Sequence, residues 1–393
     1  MELRPYFADL HVHIGRSQDG QPVKISGSKE LTFRNIAKEA SERKGVELIG
    51  IIDCHSPGVQ KDMIDCLESG EMEEIRGGGI RYRDTTIVLG IEMEVKEEGG
   101  GPFHLLGYLP TLEAMQEWTA WMKPRVKNIS LSSQRIWITA RELQSELLAR
   151  GGLLVPAHAF TPHRGLLGCS ADRLSDRLDP DGIAAVELGL SSDTAMASRI
   201  SELDRYPFLT NSDAHSTGMI ARECNELILG EPSFEELAMA LKNRGGRRIA
   251  ANYGLHPQLG KYHTTSCGKC DKALTEAEEA FGVCPACGSD RLVRGVSGRI
   301  RQLADRDRPY GLESRPPYRP QVPLSFFPGI GPVKRERLFA EVGTEMEILH
   351  RVAKERLIPI TGESIADMII DAREGKAVFT SGSGGTYGTL ARS

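Results

Sequence analysis

Short runs of β-branched and aliphatic residues alternate with amphipathic stretches over the first 250 residues. Continuous apolar runs of this length are typical of strands that are buried on both faces of a parallel sheet. They predict strands at residues 47–52, 86–92, 104–109, 153–157, 183–188 and 207–210. Thr139 with Glu142, and Ser233 with Glu236, have the capping-box spacing with which helices begin. The alternation predicts an α/β fold, and we find no fixed-period repeat.

The character of the sequence changes after Ala250. A four-cysteine segment comes first, a stretch rich in Arg and Pro follows it, and a second amphipathic region precedes a Gly- and Ser-rich end. The predicted units are an α/β domain at 1–250, a cysteine ribbon at 251–305, a linker or extended arm at 306–325, a helical module at 326–380 and a mobile tail at 381–393.

Composition places the chain among folded proteins that are neither secreted nor embedded in a membrane. Hydrophobic residues make up 40% of the chain and charged residues 26%, which excludes wholesale disorder. No apolar run approaches the ~18 residues that a membrane span needs. The N-terminus also lacks the basic start, apolar stretch and cleavage site of a secretory signal. We therefore expect a cytoplasmic protein without a membrane partner.

The net charge of −5 conceals a segregation of charge along the chain. Residues 291–337 hold 11 Lys or Arg against 4 Asp or Glu, whereas residues 1–290 hold 32 against 42. A basic segment beside an acidic body supplies the charges that neutralise phosphates, although the protein as a whole is acidic.

Histidines and carboxylates follow or open the predicted strands. His11 and His13 lie two residues apart, so on a strand their side chains project from one face toward a common centre. The other candidates of this kind are Asp53, His55, Glu92, His104, His158, Asp213 and His215. Because the carboxyl ends of parallel strands in a closed barrel meet at one face, we expect these side chains to converge there.

This set of residues predicts a metal centre that hydrolyses phosphate esters. Imidazole and carboxylate ligands suit Zn²⁺ or Mn²⁺, with Mg²⁺ as a further candidate, and the surplus of ligands over one ion predicts two or three catalytic ions. Such ions clamp phosphate oxygens and make hydroxide from water near neutral pH. The predicted ligands are His11, His13, His55, Glu92, His104, His158, Asp213 and His215, and the predicted catalytic residues are Asp53, Glu92, Asp213 and His215.

Five segments in this order resemble the motifs of the PHP (polymerase and histidinol phosphatase) superfamily. They are Asp9–His13, Asp53–His55, Gly90–Glu92, Pro156–His158 and Ser212–His215. The resemblance covers residues 1–250 and implies a distorted, TIM-like (β/α)7 barrel with a phosphoesterase site of two or three metal ions. Cys54 separates Asp53 from His55, which are adjacent in the usual motif, so either of them could be the ligand.

Cys267, Cys270, Cys284 and Cys287 form two Cys-x2-Cys pairs that are separated by thirteen residues. Two such knuckles can surround one tetrahedral Zn²⁺ with four thiolates. Because a shell of four thiolates leaves no open position, we expect one structural zinc ion that holds together a ribbon too small for a core of its own.

The segment 328–334 reads Pro-Gly-Ile-Gly-Pro-Val-Lys and resembles the hairpin of helix-hairpin-helix DNA-binding modules. In such hairpins, glycines let backbone N–H groups approach a phosphate at a helix N-terminus. We predict DNA contacts by Gly329, Gly331, Lys334 and Arg335. The alternatives are an ordinary turn between helices, which also favours Gly and Pro, and a merely solvated basic face.

The order of phosphoesterase domain, ribbon and hairpin module resembles DNA-repair endonucleases over nearly the whole chain. The resemblance implies double- or single-stranded DNA with damaged bases as the partner, a nucleoid-associated location, and cleavage 5′ to deaminated bases (hypoxanthine, uracil, xanthine) and abasic sites. Attack by metal-activated water would leave a 3′-hydroxyl and a 5′-phosphate. One alternative is a small-molecule phosphatase of the histidinol-phosphate type, which needs no ribbon or basic arm. The other is a non-catalytic DNA-binding scaffold, against which the near-complete ligand set argues.

Overall fold

The computed structural model describes residues 2–376 in full and, beyond them, the backbone of residues 379–380 and 389–390. The strands of the first domain are β1 (Arg4–Val12), β2 (Leu48–Ile51), β3 (Glu73–Glu74), β4 (Ile80–Tyr82), β5 (Thr85–Val95), β6 (Phe103–Leu109), β7 (Leu153–Pro156), β8 (Val186–Glu187), β9 (Phe208–Leu209), β10 (Cys224–Leu229) and β11 (Arg248–Gly254).

Strands β1, β2, β5, β6 and β7 belong to one sheet, β8 and β9 form a separate pair, and hydrogen bonds outside the strands link the two into a ring. β1 pairs with β2 and β2 with β5 in parallel, β5 with β6 and β6 with β7 antiparallel, and β8 with β9 in parallel. The N–H of Ala184, just before β8, donates to the carbonyl oxygen of Leu154 in β7. Ala214, beyond β9, bridges in parallel to Val12 at the end of β1. The α/β fold that the sequence predicts is therefore confirmed.

β6 is the ring strand that runs against its neighbours. Its pairing is antiparallel on both sides, with His104 opposite Glu94 of β5 and Leu105 opposite Pro156 of β7. The first residues of β6 consequently lie at the end of the ring where the parallel strands terminate. His104, which the sequence places at the opening of its strand, reaches the same end of the ring as the other candidates because this strand runs antiparallel to both neighbours.

The sheet continues outside the ring on both sides of the β1–β2–β5 segment. β10 and β11 add antiparallel strands next to β1, and the β3–β4 hairpin lies along β5. Strand β14 (Tyr318–Pro320) pairs in parallel with β11. Residues 306–325, predicted as a linker or arm, therefore contribute a strand to the sheet of the first domain.

Helices pack around the ring, as the alternation of the sequence predicts. They are α1 (Phe33–Glu39), α2 (Pro57–Glu68), α3 (Leu112–Met122), α4 (Ala140–Ala149), α5 (Thr194–Ala197) and α6 (Phe234–Leu241). The capping box of Thr139 and Glu142 opens α4, and the side chain of Ser233 accepts the N–H of Glu236 at the start of α6. One apolar cluster fills the layer between strands and helices, and a second fills the interior of the ring up to α6.

The chain beyond residue 254 forms a small ribbon and a helical unit. The ribbon holds β12 (Ser266–Cys267), α7 (Glu276–Glu279) and β13 (Leu292–Val293), and α8 (Val296–Leu303) follows it. The helical unit holds α9 (Pro332–Glu341), α10 (Glu345–His350), α11 (Lys354–Thr361) and α12 (Glu363–Arg373). It is anchored to the first domain by the buried ion pair of Lys44 with Glu345 and by the contact of the His350 ring with the ring of Tyr253, whose centroids are 4.4 Å apart.

Beyond residue 376, the described part of the chain is one pair of short strands. Short strands β15 (Phe379–Thr380) and β16 (Thr389–Leu390) pair antiparallel. The remainder of the predicted mobile tail at 381–393 lies outside the described residues. Within the described part of the chain, no helix combines the length and apolarity that a bilayer crossing requires.

Candidate metal centre

The structure brings seven of the eight predicted ligands together at one end of the ring. They form three overlapping groups whose ligand atoms lie within 4.8 Å of one another: His11–His13–Glu92, His13–Asp213–His215 and Glu92–His104–His158. These side chains lie at or near the ends of β1 and β5, in the segments that follow β7 and β9, and near the start of β6. The predicted convergence therefore includes every predicted ligand except His55.

Glu92 joins the two halves of this cluster. Its Oε1 lies 2.8 Å from Nδ1 of His104 and 3.5 Å from Nε2 of both His11 and His158. Its Oε2 lies 3.6 Å from Nε2 of His13 and 3.2 Å from Nζ of Lys24. One carboxylate thus faces two sets of imidazoles, as a ligand shared between two neighbouring cations would.

The imidazoles and carboxylates of the cluster fit divalent cations, because some of their buried nitrogens have no hydrogen-bond partner among the described residues. Nε2 of His11 and Nε2 of His13 are buried and form no hydrogen bond within the described residues. Both stand 3.5 Å from Oδ1 of Asp213. Buried nitrogens without partners are costly unless something else satisfies them, and imidazole nitrogens opposite carboxylate oxygens are the donors of zinc and manganese sites.

The opposite nitrogens of the same two imidazoles are held by carboxylates. Oδ2 of Asp53 lies 3.0 Å from Nδ1 of His13 and accepts the N–H of Ile14 at 2.7 Å. Oε1 of Glu187 lies 2.9 Å from Nδ1 of His11. Such pairing fixes the tautomer and turns Nε2 toward the cluster. Asp53, predicted as a catalytic residue and a possible partner of the metal, orients His13 and belongs to none of the three groups.

Glu187 contacts two of the grouped ligands and is a residue that the sequence predictions miss. It is buried at the end of β8, and its two oxygens also accept hydrogen bonds from Nδ2 of Asn211 at 2.7 Å and from the N–H of His158 at 2.6 Å. The available signal was a lone acidic residue inside the apolar run 183–188. A buried carboxylate in such a run needs partners, and this one has three.

His55 lies apart from the cluster. Its Nε2 lies 3.2 Å from the carbonyl oxygen of Leu131, so this imidazole is engaged by the loop that follows α3. The same loop supplies Ser132, whose Oγ is 3.2 Å from Nδ1 of His13, and Ser133, whose Oγ donates to Glu92. His55 is not among the grouped ligands because its imidazole contacts this loop. The local sequence around His55 gives no sign of that contact.

Strained backbone positions mark the same site. Among the described residues, non-glycine residues with positive φ include Ser133 at 51°, His158 at 30° and Asp213 at 45°. Such conformations cost ~1–3 kcal/mol each and persist where the surroundings impose them. The backbone conformation of Asp213 is imposed by two hydrogen bonds of the next residue, Ala214. The N–H of Ala214 donates to the carbonyl oxygen of His11, and its carbonyl oxygen accepts the N–H of His13.

The electrostatics of the cluster favour added positive charge. Burial alone would lower the pKa of His11, but the carboxylates of Glu187 and Asp213 outweigh it and raise that pKa well above its ordinary value. Burial would raise the pKa of Glu92, yet His104 and Lys24 hold it well below its usual range. Burial lowers the pKa of His215 to about 4, so its imidazole is neutral and free to ligate at pH 7.

The four cysteines form a second metal-binding cluster in the ribbon. Sγ of Cys267 and Sγ of Cys287 are 3.6 Å apart, as are Sγ of Cys270 and Sγ of Cys284. Four sulfurs ~2.3 Å from a central zinc ion would stand about 3.8 Å from one another, so the arrangement fits a tetrahedral ion. The N–H of Lys269 donates to Sγ of Cys267 and is the largest cause that lowers the pKa of this thiol, which favours the thiolate that binds metal.

The glycine hairpin lies at the start of α9. Gly329 has φ of +90°, a backbone conformation that favours glycine, and a Cβ there would stand 2.9 Å from Cδ1 of Ile365 in α12. Gly331 is the N-cap of α9, and Lys334 and Arg335 lie in the first turn of this helix. A short 3₁₀ turn at Leu324–Phe326, rather than an α-helix, precedes the hairpin.

Together, the ring of strands, the histidine–carboxylate cluster at its end and the separate cysteine cluster define an α/β protein with two clusters of metal-ligating side chains. No protein-family model matches the chain. It is 48% identical over 393 residues to the uncharacterized protein YqxK of Bacillus subtilis (strain 168), with 99% of this chain and 100% of the relative covered.

Solved structures place the chain more narrowly. The lesion-specific endonuclease PfuEndoQ from Pyrococcus furiosus matches with a TM-score of 0.84 and 31% identity over 98% of this chain and 95% of its own. Endonuclease Q in complex with a 27-mer duplex that carries an abasic lesion at its active site matches with a TM-score of 0.85 and 31% identity, over 99% and 97% of the two chains. The chain belongs to the endonuclease Q family, which confirms the whole-chain resemblance to DNA-repair endonucleases.

Proposed function

We propose that this protein is a DNA-repair endonuclease that hydrolyses the phosphodiester 5′ to a deaminated base (hypoxanthine, uracil or xanthine) or an abasic site. The observation that carries the proposal is the likeness, over nearly the full length of both chains, to endonuclease Q bound to a duplex with an abasic lesion. The candidate metal centre supports it, because a cluster of imidazoles and carboxylates with unpaired buried nitrogens suits phosphoester hydrolysis.

The ligands in the proposal are the residues that the structure groups: His11, His13, Glu92, His104, His158, Asp213 and His215. They would hold two or three divalent ions, Zn²⁺ or Mn²⁺ with Mg²⁺ as the alternative. Bound there, the ions supply a nucleophilic hydroxide near neutral pH and neutralise charge on the phosphate. We keep the predicted catalytic roles of Glu92, Asp213 and His215, and assign to Asp53 the orientation of His13.

The chain's own residues prepare this chemistry. Asp53 and Glu187 fix the Nδ1 protons of His13 and His11, so that each Nε2 offers its lone pair to the cluster. In the reaction, the oxygen of water bonds to phosphorus and the bond from phosphorus to the 3′-oxygen of the preceding nucleotide breaks. The departing oxygen takes a proton and becomes a 3′-hydroxyl, and the 5′-phosphate stays on the damaged nucleotide.

Selection of the lesion requires that the nucleotide leaves the base stack, since the edge of a stacked and paired base is inaccessible. Hypoxanthine and uracil carry a carbonyl where adenine and cytosine carry an amino group. Donors aimed at that oxygen would be left unpaired by the undamaged base, at ~1–3 kcal/mol each. Weaker pairing at the lesion also lowers the cost of extrusion.

DNA affinity is assigned to the parts outside the ring. The cysteine cluster would hold one structural Zn²⁺, and the basic residues around it and in the hairpin, with Gly329, Gly331, Lys334 and Arg335, would contact phosphates of either a duplex or a single strand. In this proposal residues 1–250 cut, residues 251–305 and 326–380 hold the DNA, and the cell's chromosomal DNA is the partner.

The test uses a labelled duplex with one central deoxyinosine, a matched undamaged duplex, and a gel that maps the cut to the nucleotide. The proposal predicts a cut 5′ to the lesion only, loss of activity on chelation, and its return with Mn²⁺ or Zn²⁺. Asp213→Asn should abolish cleavage and leave DNA binding within several-fold. Equal cutting of both duplexes would reject lesion specificity, and hydrolysis of histidinol phosphate without cutting of either duplex would favour a small-molecule phosphatase.

A further inference from the structure

A lysine stands inside the candidate metal centre, where none of the ligand motifs places one. Nζ of Lys24 lies 3.2 Å from Oε2 of Glu92 and 2.6 Å from Oγ of Ser133, and its side chain is 15% exposed. The backbone holds it there, because the N–H of Lys24 donates to the carbonyl of Ile14 and the N–H of Val23 to that of Gly15. The lysine is therefore built into the segment that continues β1.

Holding Glu92 in place does not by itself account for an ammonium at this position. Glu92 already has four imidazoles within 3.6 Å and the hydroxyl of Ser133 as a hydrogen-bond donor. An ammonium beside carboxylates that are to hold cations competes for the same oxygens and is repelled by the cations. It also has three N–H donors, of which the structure accounts for two.

We propose that Lys24 contacts a non-bridging oxygen of the scissile phosphate and stabilises the negative charge that builds up there during hydrolysis. The inference rests on the proposed phosphodiesterase function. A phosphate is the anion that enters this cluster in that reaction, and it offers acceptors for the third donor. Preorganised donors of this kind act where water is excluded, and removal of one typically lowers kcat by about 10²–10³-fold.

The competing role for Lys24 is that of a positioning residue for Glu92. Ser133 offers a matched control, because its Oγ contacts both the same carboxylate and the ammonium but carries no charge. If orientation of Glu92 were the whole role of Lys24, Ser133→Ala and Lys24→Gln would have similar effects. Lys24→Arg keeps the charge and tests whether charge rather than shape is required.

The experiment compares Lys24→Gln, Lys24→Arg and Ser133→Ala with the unmodified protein on the deoxyinosine duplex, with single-turnover rates, KM and bound metal measured for each. The two phosphorothioate diastereomers at the cleaved linkage are the second set of substrates. For Lys24→Gln we expect kcat to fall by about 10²–10³-fold. Bound metal and KM should stay within a few-fold, with partial recovery in Lys24→Arg. The loss should shrink by tenfold or more on one diastereomer, whose sulfur already disrupts the contact.

Three results would overturn the inference: loss of metal in Lys24→Gln, equal losses in Lys24→Gln and Ser133→Ala, or full additivity on both diastereomers. Failure of the proposed function looks different, because the unmodified protein would then cut none of the duplexes. A protein that cuts at the lesion normally with Gln at position 24 would leave the proposed function intact and remove Lys24 from the mechanism.

Discussion

Glu187 allows a sharp test of the site, because its role was found in the structure and its neighbours fix the expected effect. Its carboxylate accepts hydrogen bonds from Nδ1 of His11 at 2.9 Å, Nδ2 of Asn211 at 2.7 Å and the N–H of His158 at 2.6 Å. Two of these three donors belong to residues of the grouped ligands. Substitutions of Glu187 should therefore weaken metal binding more than they weaken DNA binding.

Two substitutions separate charge from hydrogen bonding. Glu187→Gln keeps the shape but removes the charge that supports the His11 imidazole, and loss of such carboxylate partners typically costs 10–100-fold in metal affinity or activity, about 1.4–2.8 kcal/mol. Glu187→Ala leaves three buried donors without an acceptor, at ~1–3 kcal/mol each, reduced if water enters the space. We expect a loss of about 3 kcal/mol or more in the free energy of unfolding for this variant.

The assays are bound metal per chain over a titration with Mn²⁺, cleavage of the deoxyinosine duplex, and urea unfolding. Glu223→Gln is the matched control. Glu223 is equally buried, but burial raises its pKa to about 8, so it is neutral at pH 7 and a Gln should replace it with little change. Wild-type metal affinity and cleavage in Glu187→Gln, or equal effects of Glu187→Gln and Glu223→Gln, would refute the assignment.

Three further predictions concern the parts outside the ring. Cys267→Ser should release the ribbon's metal and weaken DNA binding while hydrolysis of a small phosphodiester is retained; loss of that hydrolysis would show that the ribbon belongs to the catalytic unit. Lys334→Ala should flatten the dependence of log affinity on log salt by about one unit for damaged and undamaged DNA alike, whereas a changed lesion preference would contradict a phosphate contact. Glu345→Ala leaves the charge of Lys44 buried without its carboxylate, with the carbonyl oxygen of Gly218 as an acceptor, so urea unfolding should show a loss of about 3–5 kcal/mol, and a loss below ~1 kcal/mol would contradict anchoring by this pair.

The strands and the ligand set could be read from the sequence because both depend on local patterns. The apolar run at 86–92 lies within β5 (Thr85–Val95), and the run at 153–157 coincides with β7 apart from its last residue. The spacing of His11 and His13 alone requires that they share a face once a strand is assumed. Their convergence with Asp213 then follows from the closure of the ring.

What could not be read from the sequence depends on contacts between distant segments. The direction of β6 is set by its pairing with β5 and β7 and leaves no mark on its own residues. His55 has the same strand-end context as the ligands, and only the loop that brings in Leu131 removes it from the cluster. Lys24 looks like any loop lysine until Glu92, 68 positions away, is placed beside it.

The free-energy cost of strained backbone and unpartnered polar atoms is concentrated at the candidate metal centre, and burial of apolar residues elsewhere in the molecule offsets it. His158 and Asp213 adopt backbone conformations that ordinary residues avoid, and imidazole nitrogens that include Nε2 of His11 and Nε2 of His13 are buried without a hydrogen-bond partner among the described residues. The continuous apolar layer between ring and helices supplies the compensating burial. A site arranged only for stability would place apolar residues at these positions, as the ring does one layer below, around Leu10 and Val88. The retention of strain, unpaired nitrogens and clustered carboxylates at one end of the ring is what a centre that binds cations requires.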